Sequence, residues 1–359
     1  MANDSVLNRV VDQPVVTDAA WHHSRFVAAQ PFRHVVIDGF FTPEFCAHLC
    51  QQFPSFDEKS AINENGVVGG KSTRERVREL GPAFRQLDDA VQSEGFISLI
   101  GEITGIRGLK YDPHYFGGGT HENCEGQDLD PHVDFNYHPL TRQHRRLNLI
   151  VYLNENWEDC WGGSLQLHRD PYKPPSEDEI ITVTPLMNRC VIFETNEYSW
   201  HGFERIHFPP GVEKRSRKSF ALYFYSDTRP ANETAEEHST VYVERHLPER
   251  YTEGMVLAEN DVREIRLLLA RRDQHLKRLY KNIHRLYGEV NRLKARVLQP
   301  ISGEPSTQDD PQDQPVENTA SAERMIATLR NRIRELEQST SWKVTAPLRS
   351  VKTWLSRRP

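Results

Sequence analysis

Hydrophobic and polar residues follow three patterns along the chain. Up to about Asp227, short alternating runs rich in aromatic residues are separated by Gly, Pro and Asn. From about Glu259 to Gln299 the hydrophobic residues recur with a helical period among many charges, and from about Pro300 to Ala320 the chain is rich in Pro, Gln, Asp and Ser. Alternating runs between turn residues predict strands, whereas a polar stretch without periodicity predicts a linker.

These patterns predict five parts of the chain. They are an N-terminal extension over residues 1–30, a folded domain over 31–245, a coiled coil over 259–299, a disordered linker over 300–320, and a short helix with a basic, tryptophan-containing tail over 321–359. The hydrophobic share is 37%, below the roughly 45–50% of globular domains. Such a low hydrophobic share indicates that parts of the chain do not belong to a packed hydrophobic core.

The folded domain is predicted to begin with helices and to continue with strands. His34–Asp38 has the pattern of a short strand, and Thr42 and Pro43 have the residue types of a helix N-cap and first helical position. A helical pattern returns around Pro82 to Leu99. Further strands are predicted at Leu147–Leu153, Gly163–Leu167, Ile180–Thr184, Arg189–Phe193 and Phe220–Tyr225. This order predicts a mainly β (α+β) fold, an antiparallel double-sheet barrel with N-terminal supporting helices.

The stretch from Phe116 to Asp130 has no strand pattern. It is polar, long and rich in Gly. A substrate lid and a plain surface loop are both open interpretations of such a stretch.

A metal-binding pair is predicted at His132 and Asp134. In a strand, residues two apart point to the same face, so an imidazole and a carboxylate can meet one ion. His201, which follows the strand Arg189–Phe193, is the best candidate for a third ligand. Two histidines and one carboxylate suit Fe(II) and leave the remaining coordination positions open. A His-x-Asp pair alone is weak, because 16 histidines make chance pairs common.

The last predicted strand has a face suited to a dicarboxylate. Alternation places Arg217, Ser219, Ala221 and Tyr223 together, which brings a guanidinium, a hydroxyl and a small side chain to one side. A bidentate cation is what a carboxylate needs. The alternative is an edge strand with an exposed basic start.

A second strand has polar residues on one face. Asn148, Ile150 and Tyr152 alternate with Leu147 and its apolar partners. This alternation is consistent with a lined cavity, and a half-buried strand with a solvent face is the alternative.

Six ordered motifs resemble the prolyl 4-hydroxylase-like branch of the Fe(II)/2-oxoglutarate-dependent dioxygenases. They begin at His132, Asn148, Gly162, Arg189, Trp200 and Arg217. The segment from Pro31 resembles the N-terminal part of that branch, and the whole similarity covers about Phe32 to Asp227.

The resemblance implies a double-stranded β-helix, or jelly roll. It implies iron ligands at His132, Asp134 and His201, and 2-oxoglutarate contacts at Arg217, Ser219, Tyr152 and Asn148. The spacing from His201 to Arg217 is longer than the family pattern, so Arg215 and Lys218 stay as alternative anchors.

The implied reaction is hydroxylation of an unactivated C–H bond. It uses Fe(II), O2 and 2-oxoglutarate, and it releases succinate and CO2. Ascorbate (vitamin C) is a reductant commonly associated with this family.

The net charge and the cysteine content argue against a nucleic-acid-binding protein and against a disulfide-stabilised one. The net charge of −6 gives no basic excess for nucleic-acid binding. Neither a signal peptide nor a spanning segment is evident, so a cytoplasmic location is expected. Five cysteines do not form an even disulfide set. Cys46 and Cys50 share one helix face, where small buried hydrophobes are favoured over metal binding or redox chemistry.

A seam of apolar residues recurs alternately every three and four residues from Val262 to Val297. Only Arg272 interrupts it. Such a narrow stripe predicts a coiled coil and therefore a homo-oligomer, and a helix packed on the folded domain is the alternative.

The tail Ser341–Arg349 resembles a motif near the ends of bacterial proteins of surface-polysaccharide assembly. Trp342, Trp354 and nearby Lys and Arg suit peripheral contact with an anionic inner membrane surface, and a disordered basic tail is the alternative.

The substrate is therefore expected to be a glycan or lipid-linked sugar intermediate. A prolyl side chain of a protein is the alternative substrate. A catalytically inactive scaffold and a cupin-like metal module without oxygenase chemistry are the competing classes.

Overall fold

The alternating runs form two antiparallel sheets in a computed structural model, which describes residues 2–61 and 71–298 together with residues 327 and 331. The chain divides into two units, Met1–His246 and Leu247–Pro359. The described strands are β1 (His34–Asp38), β2 (Ser72–Arg74), β3 (Lys110–Tyr111), β4 (Gly119–Asn123), β5 (Leu129–Val133), β6 (His144–Tyr152), β7 (Leu165–His168), β8 (Ile180–Val183), β9 (Arg189–Glu194), β10 (Trp200–Phe203), β11 (Arg217–Ser226) and β12 (Val241–Tyr242).

The helices are α1 (Ala2–Val10), α2 (Gln13–Thr17), α3 (Ala19–Ala28), α4 (Pro43–Gln51), α5 (Pro82–Val91), α6 (Glu94–Thr104) and α7 (Glu259–Leu298). As expected, Thr42 caps α4, and its hydroxyl accepts a hydrogen bond from the backbone N–H of Phe45. Ser93 caps α6 in the same way, so the helical pattern around Pro82 to Leu99 is two helices.

The larger sheet has the order β1-β9-β6-β11-β4-β2, with β3 paired to β11, and the smaller sheet has the order β12-β5-β10-β7-β8. Every described pairing is antiparallel. This two-sheet arrangement is consistent with the jelly roll expected from the resemblance.

The main hydrophobic core lies between the helices and one face of the larger sheet. Leu147, Leu149 and Val151 of β6 point into it, together with Phe220, Leu222 and Phe224 of β11. The N-terminal residues belong to the same core, since Val10, Val11 and Phe26 are fully buried there. The opposite face of β6 and β11 is therefore free to carry polar residues.

The stretch from Phe116 to Asp130 is not the loop that the sequence suggested. Gly119–Asn123 forms the fully buried strand β4, which pairs with both β2 and β11. Gly119, Glu122 and Asn123 are residue types depleted in strands, so tertiary pairing determines this strand.

Helix α7 has 40 residues and covers the predicted coiled-coil region. The solvent exposure of its apolar seam is uneven, since Ile283, Leu286 and Val290 are buried, whereas Leu269 is 55% exposed. No helix in the described ranges is long and apolar enough to cross a membrane. The predicted linker and most of the predicted tail lie outside the described residues.

Candidate metal centre

His132 and His201 face each other across two paired strands. They are direct partners in the antiparallel pairing of β5 with β10, and their ring centroids are 4.2 Å apart. Asp134 lies just beyond the end of β5 and points to the same side. Ligand atoms of these three residues all lie within 4.8 Å of one another. The structure thus brings together the three predicted ligands.

Backbone carbonyls hold both imidazoles in one orientation. Nδ1 of His132 lies 2.9 Å from the carbonyl oxygen of Asp130, and Nδ1 of His201 lies 2.9 Å from that of Ser199. A carbonyl only accepts hydrogen bonds, so each Nδ1 carries the hydrogen and each Nε2 keeps its lone pair. Burial lowers the pKa of His132 to about 3 and lowers the pKa of His201. Both imidazole rings are therefore neutral at neutral pH, and the Nε2 lone pair of each is available to a metal ion.

The Asp134 carboxylate is held by Asn148 and Arg145. Nδ2 of Asn148 donates a 2.8 Å hydrogen bond to Oδ2, and a guanidinium nitrogen of Arg145 lies 3.1 Å from the same oxygen. Burial raises the pKa of Asp134, but the charge of Arg145, aided by both histidines and the Asn148 hydrogen bond, brings it below its usual range. The carboxylate is therefore ionised and oriented for a cation.

Arg145 is a site residue that the sequence analysis missed. The pairing of β6 with β11 shifts by one residue between Phe224 and Tyr225. This irregularity turns Arg145 to the inner face, which is the face of the larger sheet opposite the main hydrophobic core. There its guanidinium lies 3.7 Å from the ring centre of Tyr223 and 4.5 Å from that of Phe135. Simple alternation from Leu147 would have placed Arg145 on the other face, so the sequence held no signal for it.

Arg217 is a buried cation on the inner face of β11. Its Nε donates a 2.6 Å hydrogen bond to the carbonyl of Gly163, and its guanidinium also bonds the hydroxyl of Tyr152 at 3.2 Å. In the described residues no acidic side chain forms an ion pair with it. A buried, unpaired guanidinium suits an anionic ligand.

Gly163 is required at this point. Its φ is +72°, and a Cβ there would come within 3.2 Å of Arg217 Cδ, 3.1 Å of Trp157 and 3.0 Å of Ile206. Ser219 is buried one alternation beyond Arg217 and is the pairing partner of Tyr152.

The two alternative anchors point elsewhere. Arg215 is exposed, donates to the carbonyl of Glu155 and lies over Trp161. Lys218 is on the opposite face of β11, with its Nζ 5.4 Å from the ring centre of Phe53. Of the three cations, only Arg217 lies in the interior with Tyr152.

Two unpredicted residues, Lys71 and His121, meet Tyr223 at the backbone carbonyl of Gly117. Nζ of Lys71 lies 3.2 Å from Nε2 of His121, and the hydroxyl of Tyr223 donates to the carbonyl of Gly117. Burial lowers the pKa of Lys71 to about 8, although the charge of Asp134 opposes this shift. Lys71 lies next to a segment with no predicted element, and His121 lies on the unpredicted strand β4.

Phe135 follows Asp134 in the sequence and Trp200 precedes His201, but only one of these two aromatic side chains lies on the inner face. Phe135 packs with Ala221, Tyr223 and Tyr225 on the inner face. Trp200 points away from His201, because neighbours in a strand face opposite sides, and its ring contacts Tyr172.

Two neutral imidazoles and one carboxylate form the donor set that suits Fe(II). In the part of the chain that the structure describes, no other group of three His, Cys, Asp or Glu residues is placed to hold a metal. The fixed Nδ1 hydrogens and the ionised Asp134 fit such an ion.

Comparisons with solved structures return distant similarities. A prolyl hydroxylase from Trichoplax adhaerens, in complex with a hypoxia inducible factor peptide fragment, is 16% identical, with a TM-score of 0.39 over 61% of this chain and 96% of that chain. A prolyl 4-hydroxylase from Phytophthora capsici is 17% identical, with a TM-score of 0.40 over 98% and 95%. A prolyl-4-hydroxylase from Pseudomonas putida is 17% identical, with a TM-score of 0.32 over 59% and 91%.

No curated protein matches the chain. The family model described as the 2OG-Fe(II) oxygenase superfamily matches residues 119–225. That segment contains His132, Asp134, His201 and Arg217. The family implies Fe(II), 2-oxoglutarate and O2 as metal and co-substrates. The family match, together with the His-Asp-His geometry, supports the 2OG-Fe(II) oxygenase superfamily for this domain.

Proposed function

We propose that the protein is an Fe(II)/2-oxoglutarate-dependent hydroxylase of unactivated C–H bonds. The main supporting observation is that His132, Asp134 and His201 converge on one point, while Arg217 lies buried on the same inner surface with no acidic partner among the described residues. One arrangement therefore serves a divalent metal and a dicarboxylate.

His132, Asp134 and His201 would hold Fe(II), which when bound supplies the redox chemistry of O2 activation. The protein contributes rigidity to this site. Asp130 and Ser199 fix the imidazoles through their carbonyls, and Asn148 and Arg145 fix the carboxylate. Such supporting contacts set the ligand orientation and the metal affinity.

Arg217 would bind the distal carboxylate of 2-oxoglutarate, with Tyr152 and Ser219 beside it. Its guanidinium is held by Gly163 and by the Tyr152 hydroxyl, so it needs little reordering to receive a carboxylate. Ala221, the inner residue that follows Ser219 on β11, contributes only a small side chain to this face.

Aromatic and aliphatic side chains would keep water out of the site. Phe193 lies 4.7 Å from the ring centre of His201, and Tyr242 stacks at 5.1 Å on His132. Phe135 and Ile150 pack beside Tyr223 on the inner face. A water-poor cavity strengthens the charge interactions of Arg217 and Asp134.

The substrate we propose is a glycan or lipid-linked sugar intermediate of a bacterial surface polysaccharide. Its basis is the resemblance of Ser341–Arg349, a segment outside the described residues. The alternative, a protein prolyl hydroxylase, rests on the resemblance of the six catalytic motifs to the prolyl 4-hydroxylase-like branch.

Substrate-stimulated release of succinate from 2-oxoglutarate tests these proposals. Purified protein with Fe(II), with and without ascorbate, is screened against glycan precursors and prolyl peptides. Stimulation by one class assigns the substrate. A chain that binds neither Fe(II) nor 2-oxoglutarate would overturn the proposal and favour the inactive scaffold.

Helix α7 supports a second proposal, that the protein is a homo-oligomer. The exposed Leu269 lies on the same stripe as the partly buried Val262, Ile265 and Leu276. Pairing with a second α7 would cover this stripe. The basic tail would then hold the oligomer at the inner membrane surface of the cytoplasm.

A further inference from the structure

Three sulfur atoms meet away from the metal centre, on the helix-covered side of the larger sheet. Sγ of Cys46 and Sγ of Cys50, one helical turn apart on α4, each lie 3.7 Å from Sδ of Met187. The two thiols lie close enough together for each to shift the pKa of the other. The proposed oxygenase chemistry uses none of these residues.

The backbone around the sulfur cluster is fixed from both sides. Asn188, with φ of +58°, accepts a hydrogen bond from the N–H of Phe41 and donates one to its carbonyl. This pair of bonds ties the turn that carries Met187 to the residue before Thr42, the N-cap of α4. The thioether is therefore held over the helix face of the two cysteines.

The ligand set and the spacing suit a soft metal ion. Three sulfurs around one metal at bonds of about 2.3 Å would lie roughly 4.0 Å apart, close to the two Sγ–Sδ separations of 3.7 Å. Among the described residues no His, Asp or Glu joins the two cysteines as a third ligand. Thiolate and thioether donors without nitrogen or oxygen favour Cu(I) over harder ions. We propose that Cys46, Cys50 and Met187 form a trigonal binding site for Cu(I).

The site has an entrance from the surface. Cys50 and Met187 line an open cleft of about 560 Å³, whose rim includes Lys214, Arg215 and Lys218. Cys46 is buried behind them, at 4% exposure. An incoming ion would meet Cys50 and Met187 first and then displace the thiol proton of Cys46.

Charge near the site is compatible with bound thiolates. The interaction between the two thiols lowers the pKa of Cys50 and raises the pKa of Cys46. Burial and the charge of Glu155 raise the pKa of Cys50, whereas the charge of Lys218 lowers it. Binding Cu(I) to both thiolates releases two protons and leaves one negative charge. The lining of the cleft carries Lys214, Arg215 and Lys218 against Glu155 and Glu213, and this small positive excess opposes that charge.

Anaerobic titration of the full chain with Cu(I), against a chromophoric Cu(I) chelator, tests the proposal. The expected result is one Cu(I) per chain with thiolate-to-copper absorption. Met187→Leu, which keeps the side-chain volume, should weaken binding on the order of tenfold or more, since even indirect contacts to a metal ligand are worth that much. Cys50→Ala should abolish it.

Cys160→Ser, at an exposed cysteine outside the cluster, is the matched control and should bind as the wild type does. His201→Ala separates this site from the His-Asp-His centre and should also leave Cu(I) binding unchanged. Circular dichroism verifies that each variant is folded. Undiminished tight Cu(I) binding by Cys50→Ala, or equally tight Zn(II) binding by His201→Ala, in which the His-Asp-His centre has lost a ligand, would overturn the proposal.

Discussion

Asn148 and Asp134 are joined by a 2.8 Å hydrogen bond in which the amide of Asn148 donates to Oδ2 of the carboxylate. The family resemblance implies that Asn148 contacts the co-substrate. In the structure the same side chain contacts a metal ligand, and its Oδ1 accepts two hydrogen bonds from Arg145. Support of a metal ligand and contact with 2-oxoglutarate are two different roles, and they predict different effects of replacing Asn148.

If Asn148 supports the metal ligand, Asn148→Ala should lower Fe(II) affinity roughly 10- to 100-fold. At saturating Fe(II), the KM for 2-oxoglutarate should then change little. Both quantities are measured by 2-oxoglutarate turnover at varied Fe(II), with the exposed Asn291→Ala as the control. A raised KM at saturating Fe(II) would return Asn148 to the co-substrate.

His132→Ala and Asp134→Ala should each abolish Fe(II)-dependent turnover of 2-oxoglutarate. Either change removes one of three ligands, and the open side of the site offers no replacement in the described residues. Succinate release is the measurement, and circular dichroism shows that the domain is still folded. His207→Ala, at an exposed histidine, should keep wild-type activity. Normal turnover in either ligand variant would exclude the assignment.

Arg217→Ala should raise the KM for 2-oxoglutarate about 10- to 150-fold, because a hydrogen bond to a charged group contributes about 1.5–3 kcal/mol. Arg215→Ala should have little effect, since Arg215 is exposed and contacts Glu155 and Trp161. Initial rates at varied 2-oxoglutarate give both values. The opposite ranking would move the anchor to Arg215 and contradict the position of Arg217 in β11.

The exposed stripe of α7 predicts self-association. Leu269→Glu should shift the mass in solution toward the monomer, because it places a charge in the proposed seam. Ala270→Glu, one residue away and also exposed, is the matched control and should keep the wild-type mass. Light scattering over a range of concentrations makes the comparison. A wild-type protein that is monomeric throughout would remove the coiled-coil proposal.

The tail prediction concerns anionic membranes. Protein that ends at residue 320 should lose co-sedimentation with anionic vesicles at low salt while keeping turnover of 2-oxoglutarate, because the removed segment carries Trp342, Trp354 and a basic excess. Neutral vesicles provide the control. Equal sedimentation of the full and shortened chains would show that the tail does not carry membrane binding.

Local patterns predicted much of the fold, whereas the triad was predicted from local patterns together with the ordered motifs of the family resemblance. Strand β1 has its predicted bounds, and alternation correctly separated the apolar and polar faces of β6 and β11. Strand β4 and Arg145 could not be predicted. β4 forms through pairing with β2 and β11, and Arg145 is turned inward by a register shift, so both depend on contacts between distant segments.

The long segment between His201 and Arg217 is a place where the sequence can change in length without displacing the site residues. Strand pairing positions each residue separately: β10 lies between β5 and β7, and β11 lies between β4 and β6. The length of the segment joining them does not determine the position of either side chain. Descendants of this sequence can therefore gain or lose residues there, and reshape the cleft beside Glu213–Ser216, while conserving the chemistry.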